Sequence, residues 1–219
     1  LALAAHGGAA QAFHLTLEKR LPIAAGLGGG SSDGGATLRL VAEALGVTAD
    51  EASLATLAAE LGADGPMCLA ARPALAEGRG DVLKPAPAFP DLPAVLVNPG
   101  APSSTGAVYR AYDAAGAPGR ADTPPLPARF ETPADLARFL GGCRNDLEAP
   151  AVSLQPAIGE VLAALKARPE SLIARMSGSG ATAFALCETD AARDRLAEAL
   201  AHRFPHWWIA SCRLGGSGG

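Results

Sequence analysis

The fold is decided by Pro22-Ile23-Ala24-Ala25-Gly26-Leu27-Gly28-Gly29-Gly30-Ser31-Ser32-Asp33, which joins an extended segment to a helical pattern. A glycine run lets the backbone approach a ligand closely and turn several N–H groups towards it. The helix that follows adds its own unpaired N–H groups and the positive end of its dipole. Together these features favour a site for a phosphate chain, and ATP is the first nucleotide to consider.

Two other glycine-loop motifs do not fit this stretch. A P-loop requires a Lys near its end, and no Lys lies between Pro22 and Asp33. A dinucleotide-binding loop requires a third glycine where this chain has Ser31. A plain flexible turn between strand and helix remains an alternative. Ser31 and Ser32 argue against a plain turn, because hydroxyls at a helix start cap the helix, bind phosphate or Mg²⁺, or do both.

The composition of the chain restricts its function class. Its 219 residues allow one large or two small domains, and 49% of them are apolar, which is enough for a sizeable core. The net charge of −4 argues against a nucleic-acid partner. No apolar run reaches the ~18 residues of a membrane helix. The widely spaced cysteines predict buried, reduced thiols in a cytoplasmic protein, without metal; they are Cys68, Cys143, Cys187 and Cys212.

Alternation and helical periodicity predict the elements along the chain. A second helix after the first begins at a cap, either Thr48 or Asp50. The predicted helices are Ser32–Leu45, one ending near Leu61, Gly106–Ala114, Thr132–Leu140, Leu154–Ala167 and Asp190–Leu200. The predicted strands are Phe13–Lys19, a hairpin over Ala74–Leu83, Ala94–Val97, Leu172–Met176, Thr182–Cys187 and Trp207–Cys212. The second half of the chain is therefore predicted to have an α+β fold with antiparallel strands.

Five segments, in order, resemble the motifs of the GHMP kinases, the superfamily of galactokinase, homoserine kinase, mevalonate kinase and phosphomevalonate kinase. They are Leu17–Asp33, Leu61–Pro66, Val97–Gly100 with Ser104, Thr105 and Tyr109, Arg144–Ala151, and Met176–Ala185. Within that superfamily the first segment is most similar to the 4-diphosphocytidyl-2-C-methyl-D-erythritol kinase family of the non-mevalonate isoprenoid pathway.

The resemblance implies an α+β, two-lobe GHMP-kinase fold. A ribosomal-protein-S5-like, ATP-binding lobe is expected over residues 1–100, and a ferredoxin-like C-terminal lobe over residues 101–219. The chain begins without Met. We expect an N-terminally truncated fragment that lacks the first strands, a catalytic Lys and part of the cytidine pocket, and that is inactive by itself.

The activity implied by the resemblance is ATP-dependent phosphorylation of the 2-hydroxyl of 4-diphosphocytidyl-2-C-methyl-D-erythritol. Its partner is this small molecule, with no nucleic acid and no membrane. Pro22–Ser32 is expected to bind ATP, and Mg²⁺ is the expected cation. The Ser32 hydroxyl is expected near this ion, Asp33 is a weaker candidate because an acid there also complements the helix dipole, and the ligand set is unassigned. Two alternatives stay open: another small-alcohol kinase, such as homoserine or mevalonate kinase, and a non-catalytic nucleotide-binding fragment.

Asp64 matches the catalytic aspartate of the family and is the predicted base. The alternative is an Asp whose side chain bonds the local backbone of a turn. The family usually has a β-branched residue where this chain has Gly65, so we expect a looser loop here. Gly34 and Gly35 also replace the usual alanines, at a cost of roughly 1 kcal/mol each at most.

The remaining candidates lie in the second half of the chain. Tyr109 is expected to stack on the cytosine, or else to pack in the core. Thr105 is expected to bind substrate or phosphate, or else to cap a helix. Asn145-Asp146 is predicted to be a helix cap. Ser177–Gly180 is a second glycine loop; its counterpart in the superfamily lines the acceptor side of the cleft, and the alternative is a tight turn.

Overall fold

The computed structural model describes residues 12–47, 50–80, 82–116 and 124–215. The chain divides into two compact units. One contains Gly28–Ala86 and the segment that ends at Leu21; the other contains Pro22–Leu27 and the residues from Pro87 onward. In the described ranges no helix is both long and apolar enough to cross a membrane. The division of function between lobes at residue 100 stays a prediction.

In its described residues, the first unit contains three helices and a hairpin. They are α1 (Gly29–Ala44), α2 (Glu51–Leu61), α3 (Gly65–Ala70), β1 (Ala74–Glu77) and β2 (Val82–Pro85). The strands pair antiparallel, as predicted from the Gly-Arg-Gly turn. Asp50 caps α2, because its carboxylate accepts the N–H of Ser53 at 2.7 Å; Thr48 lies outside the described residues. The short helix α3 was not predicted, because six residues are too few to show periodicity.

Glycines let the three helices of this unit approach closely. A Cβ on Gly35 would lie 3.1 Å from the Cα of Leu69 in α3. Gly65 is buried, and a Cβ there would overlap the carbonyl oxygen of Ala58 in α2. The expectation that Gly65 loosens its loop is therefore wrong, because this glycine begins a helix and allows backbone to pack on backbone.

The strand predicted over Phe13–Lys19 is wrong. This segment has no regular secondary structure, and no neighbouring strand pairs with it in the described part of the chain. The side chains of Phe13, Leu15 and Leu17 are exposed. Alternation indicates which face of a strand is buried, but a strand forms only where a second one supplies the ladder hydrogen bonds.

The second unit contains an antiparallel sheet of four strands in the order β4-β5-β3-β6. The strands are β3 (Leu92–Asn98), β4 (Ile173–Met176), β5 (Ala183–Leu186) and β6 (Trp208–Leu214). The helices are α4 (Thr105–Ala114), α5 (Pro133–Gly141), α6 (Glu148–Leu154), α7 (Pro156–Lys166) and α8 (Asp190–Arg203). All four strands and the helices α4, α5, α7 and α8 were predicted to within a few residues, whereas α6 was predicted only by its start near Asn145-Asp146.

Helices cover both faces of this sheet, and β3 shows the alternation that results. Val95 and Val97 are fully buried in the larger core, which contains residues of α7 and α8. Leu92 and Ala94 face the smaller core, which contains Phe130 and, from α5, Leu136. Each large apolar side chain buried in this way contributes about 1.5–3 kcal/mol through loss of contact with water. The loops at the ends of β3, β4 and β5 are therefore held by a well-packed scaffold.

Candidate active site

Helix α1 begins without a side-chain cap. Gly28 is its N-cap residue in the left-handed conformation, with φ 63°, and no side chain among the described residues accepts the first N–H groups of the helix. Ser31 and Ser32 lie inside the first turn, so the alternative that they cap the helix is wrong. In the described part of the chain neither hydroxyl has a hydrogen-bond partner. The start of α1 therefore offers unpaired N–H donors and two hydroxyls to an anion.

Gly26 and Gly30 differ in whether the surrounding protein leaves room for a side chain. A Cβ on Gly26 would lie 2.5 Å from the carbonyl oxygen of Gly180 and 2.7 Å from that of Ser177, and its φ is +72°. A Cβ on Gly30, in contrast, would meet nothing within 4 Å. Packing thus requires glycine at position 26, whereas the protein itself leaves open space at position 30. That space lies beside the unpaired N–H groups of α1, where a ligand could lie close to the backbone.

A cation lies at the start of α1. The Lys19 ammonium pairs with the Asp33 carboxylate and lies 3.4 Å from where a Cβ on Gly29 would be. The sequence prediction assigned no role to this lysine, because it looked for a lysine only within residues 22–33, where a P-loop would have one. The signal was available in the sequence, because Lys19 stands three residues before Pro22. Asp33 follows the first helical turn and is held by this lysine.

Asp64 lies at the N-cap position of α3, but its side chain does not cap the helix. The residue is exposed, and no hydrogen bond to its carboxylate occurs in the described ranges. The alternative of an Asp bonded to its local turn is therefore wrong. A Cβ on Gly80, in the turn of the β1–β2 hairpin, would lie 3.9 Å from Oδ1 of Asp64. An exposed, unbonded carboxylate held between a helix start and a hairpin turn can accept a proton from a hydroxyl.

The second glycine loop, Ser177–Gly180, joins β4 to β5 and binds the beginning of the first. The Ser177 hydroxyl donates to the carbonyl of Gly26 at 2.8 Å. Just beyond the loop, the N–H of Thr182 donates to the carbonyl of Ala25 at 3.1 Å. The second glycine loop is thus more than a turn between strands, because it and the nearby Thr182 hold two successive carbonyls of the first loop.

Thr105 also contacts the second glycine loop. Its hydroxyl lies 2.9 Å from that of Ser179, within hydrogen-bonding distance. Ser104, and not Thr105, caps α4, since the Ser104 hydroxyl accepts the N–H of Ala107 at 3.3 Å. The capping alternative for Thr105 is therefore wrong. Ser179 was not singled out in the sequence, because nothing in its local pattern shows that it receives contacts from residues more than 70 positions away.

Tyr109 lies on α4 with 51% of its surface exposed. On the same helix the adjacent Val108 is buried, so the apolar face of α4 turns Val108 inward and leaves Tyr109 outside. The alternative that Tyr109 packs in the core is wrong. An exposed ring offers a flat face for a base.

Comparison with known proteins identifies the chain. Residues 1–72 match the GHMP kinases N terminal domain, and residues 129–206 match the GHMP kinases C terminal domain. A 4-diphosphocytidyl-2-C-methyl-D-erythritol kinase from Caulobacter vibrioides (strain NA1000 / CB15N) is 58% identical over 209 residues, which cover 95% of this chain and 72% of the relative. The chain belongs to the 4-diphosphocytidyl-2-C-methyl-D-erythritol kinase family.

Other members of this kinase family are also similar to the chain over most of its length. The relative from Hyphomonas neptunium is 48% identical over 98% of this chain and 72% of its own length. The crystal structure of a 4-(cytidine 5'-diphospho)-2C-methyl-D-erythritol kinase matches with a TM-score of 0.67 and 36% identity, over 91% of this chain and 70% of that one. A mevalonate kinase from L. major matches with a TM-score of 0.61 at 17% identity, which shows the fold alone. The predicted α+β GHMP-kinase fold is confirmed, and the protein is a phosphotransferase with an alcohol acceptor.

Proposed function

We propose that this protein transfers the γ-phosphoryl group of ATP to the 2-hydroxyl of 4-diphosphocytidyl-2-C-methyl-D-erythritol, in the cytoplasm. The observation that carries the proposal is the high identity, over almost the whole chain, to curated relatives of that name. It favours the cytidyl substrate over mevalonate and homoserine, whose solved kinases resemble this chain in fold only.

Residues Pro22–Ser32 bind ATP in this proposal. The N–H groups at the start of α1 donate to the phosphates, and the open space at Gly30 lets the chain of phosphates approach. Lys19 adds a positive charge at the same helix end. Because phosphoryl transfer depends mainly on positioning and on neutralising charge, a fixed set of donors supports the reaction directly.

Mg²⁺ fits the residues present at this helix start. The ion keeps several waters and binds mostly to phosphate oxygens, so one or two protein oxygens are sufficient. The Ser32 hydroxyl, exposed and without a partner among the described residues, is the oxygen that would hold it. When bound, the ion neutralises part of the charge on the phosphates.

Asp64 acts as the base. Its carboxylate accepts the proton of the substrate 2-hydroxyl as the bond from that oxygen to the γ-phosphorus forms. The bond between the γ-phosphorus and its bridging oxygen breaks, and ADP leaves. A positioned base contributes typically 10²–10⁴-fold to such a step. The support from the geometry is the free, exposed carboxylate at the start of α3.

Thr105 and Tyr109 bind the acceptor. The Thr105 hydroxyl is held near Ser179 of the second glycine loop, and the Tyr109 ring is open for stacking on the cytosine. In this assignment residues 1–100 form the ATP lobe and residues 101–219 the C-terminal lobe.

The proposal is tested by ADP release with 4-diphosphocytidyl-2-C-methyl-D-erythritol, mevalonate and homoserine offered separately, beside an Asp64→Ala variant. We expect release with the cytidyl substrate alone, and its loss in the variant. Release with another alcohol would refute the substrate. Release unchanged by Asp64→Ala would refute the base. Binding of ATP without release from any alcohol would indicate a non-catalytic nucleotide-binding protein.

A further inference from the structure

Asn145 makes three hydrogen bonds, two of which its expected role as a helix cap does not explain. Its Nδ2 donates to the carbonyl of Met176 at 3.1 Å and to that of Gly178 at 2.9 Å. Its Oδ1 accepts the N–H of Leu147 at 3.1 Å, just before α6. Leu147 occupies the N-cap position of α6, so Asn145 caps the turn that leads into the helix, one step earlier than the helix start itself. Asn145 also ties the approach to α6 to the second glycine loop.

The loop that Asn145 holds is the one that packs on Gly26. The Ser177 hydroxyl donates to the Gly26 carbonyl at 2.8 Å, and a Cβ on Gly178 would lie 3.3 Å from the same oxygen. Two glycines of the loop have positive φ, 53° at Gly178 and 83° at Gly180. Such a loop has many accessible conformations when nothing fixes it. The bond to Gly178 therefore restricts the loop at a residue that approaches Gly26, and the bond to Met176 holds the strand end just before the loop.

We infer that Asn145 is a positioning residue for ATP binding, which acts on Gly26 through the second glycine loop. The inference rests on the proposed role of Pro22–Ser32 in ATP binding. An amide suits the position because it donates two hydrogen bonds through Nδ2 and accepts one through Oδ1. A loop that is already fixed loses less conformational freedom when ATP binds, so the affinity for ATP is higher.

The test compares Asn145→Asp with Asn145→Ala. The Asp variant keeps the acceptor for the N–H of Leu147 and loses only the donor to the loop. The Ala variant loses all three bonds but adds no charge, so agreement between the two excludes simple repulsion of the phosphates. We expect both to weaken ATP binding about tenfold, measured by calorimetry without the acceptor substrate, because the carbonyls of Met176 and Gly178 lose their donor. The KM for ATP should rise in parallel.

Thr189→Ala is the matched control. It removes the hydroxyl that accepts the N–H of Ala192 at 3.2 Å and caps α8, and among the described residues Thr189 makes no hydrogen bond to the second glycine loop. This variant should lower the melting temperature but leave the affinity for ATP unchanged. The inference is overturned if the Asn145 variants bind ATP as tightly as Thr189→Ala does.

A Gly26→Ala variant separates this inference from the proposed function. If Gly26→Ala weakens ATP binding and the Asn145 variants do not, Asn145 has no positioning role and the ATP site stands. If Gly26→Ala folds and binds ATP normally, the proposed ATP site is wrong, and the inference fails with it.

Discussion

The Cα of Gly65 lies so close to the carbonyl oxygen of Ala58 that a Cβ on Gly65 would overlap that oxygen. The contact joins α2 to α3 immediately after Asp64, which occupies the N-cap position of α3. The proposed base is thus followed by a residue that fixes the start of the helix. A larger side chain at position 65 would have to move that start, and Asp64 with it.

Gly65→Val should therefore destabilise the protein, although it restores the residue type usual in the family. Overpacking against backbone costs about 1–3 kcal/mol, and the overlap here places the expected loss near the upper end. Urea unfolding measures it. Gly141→Ala is the control, because a Cβ on Gly141 meets nothing within 4 Å. Equal stability of Gly65→Val and the unmodified protein would show that α2 and α3 separate easily.

Asp64→Asn should lower kcat by about 10²–10⁴-fold, because the amide cannot accept the proton of the hydroxyl. The affinity for ATP should not change, since the loop and α1 are intact. Steady-state kinetics and calorimetry measure the two effects. Asp194→Asn, an exposed carboxylate on α8 paired with Arg193, serves as the control. A raised KM with normal kcat would assign Asp64 to binding and not to proton transfer.

Gly30→Ala should separate stability from binding. A Cβ on Gly30 meets no protein atom within 4 Å, and alanine in a helix is favoured over glycine by roughly 0.5–1 kcal/mol. We therefore expect a slightly higher melting temperature together with weaker ATP binding, because the added methyl group occupies the space proposed for the phosphates. Gly141→Ala again provides the comparison, with unchanged ATP affinity. Normal affinity in the Gly30→Ala variant would place the phosphates elsewhere.

Tyr109→Ala should raise the KM for the cytidyl substrate about tenfold, because an aromatic pair contributes about 0.5–1.5 kcal/mol beyond its buried area. Tyr109→Phe keeps the ring and should be close to normal. Tyr112→Ala, on the same helix, is the matched control. If the two alanine variants behave alike, the effect belongs to α4 as a whole and not to stacking.

We expect the protein to lose stability in acid, because the Asp190 carboxylate stabilises the fold in its charged form. Its pKa is lowered mainly by its hydrogen bond with Arg213, which joins α8 to β6, and further by the charges of Arg213 and Arg193. A carboxylate whose pKa is lower in the folded than in the unfolded state stabilises the folded protein. For Asp190 this stabilisation is fully present above the unfolded pKa, at about pH 4, and is lost as the pH falls through the lower, folded pKa.

Asp190→Asn should therefore melt at a lower temperature than the unmodified protein at pH 7, with the difference shrinking at pH 3. Asp113→Asn, at the exposed end of α4, controls for the loss of one negative charge. A difference of the same size at both pH values would mean that the carboxylate contributes through its shape and not through its charge.

The sequence predicts four buried thiols, but only Cys187 is buried, and Cys68, Cys143 and Cys212 are partly exposed. All four are free. Cys187 is fully buried in the larger core, and burial raises the pKa of its thiol to about 11. Since the thiolate is the reactive form, this side chain contributes packing and not chemistry.

The sequence by itself determined the family and most of the elements, because the signals involved are local. Asp50 and Thr132 each cap the helix that follows them, and the Gly78-Arg79-Gly80 turn makes a hairpin; each effect spans only a few residues. The order of the five motifs was equally visible in the linear chain. The strand predicted at Phe13–Lys19 failed because pairing depends on a second segment, which alternation does not reveal.

Three features depend on the tertiary structure alone. They are which hydroxyl caps α4, which loop glycine is required by packing, and which amide holds the second glycine loop. Ser104 and Thr105 are adjacent, yet one caps α4 and the other contacts Ser179. Gly26 is required by the backbone of Ser177, 151 positions away along the chain, and Asn145 by the carbonyls of Met176 and Gly178. These roles depend on contacts between distant residues, which arise only when the sheet and its helices pack, so no local pattern could have predicted them.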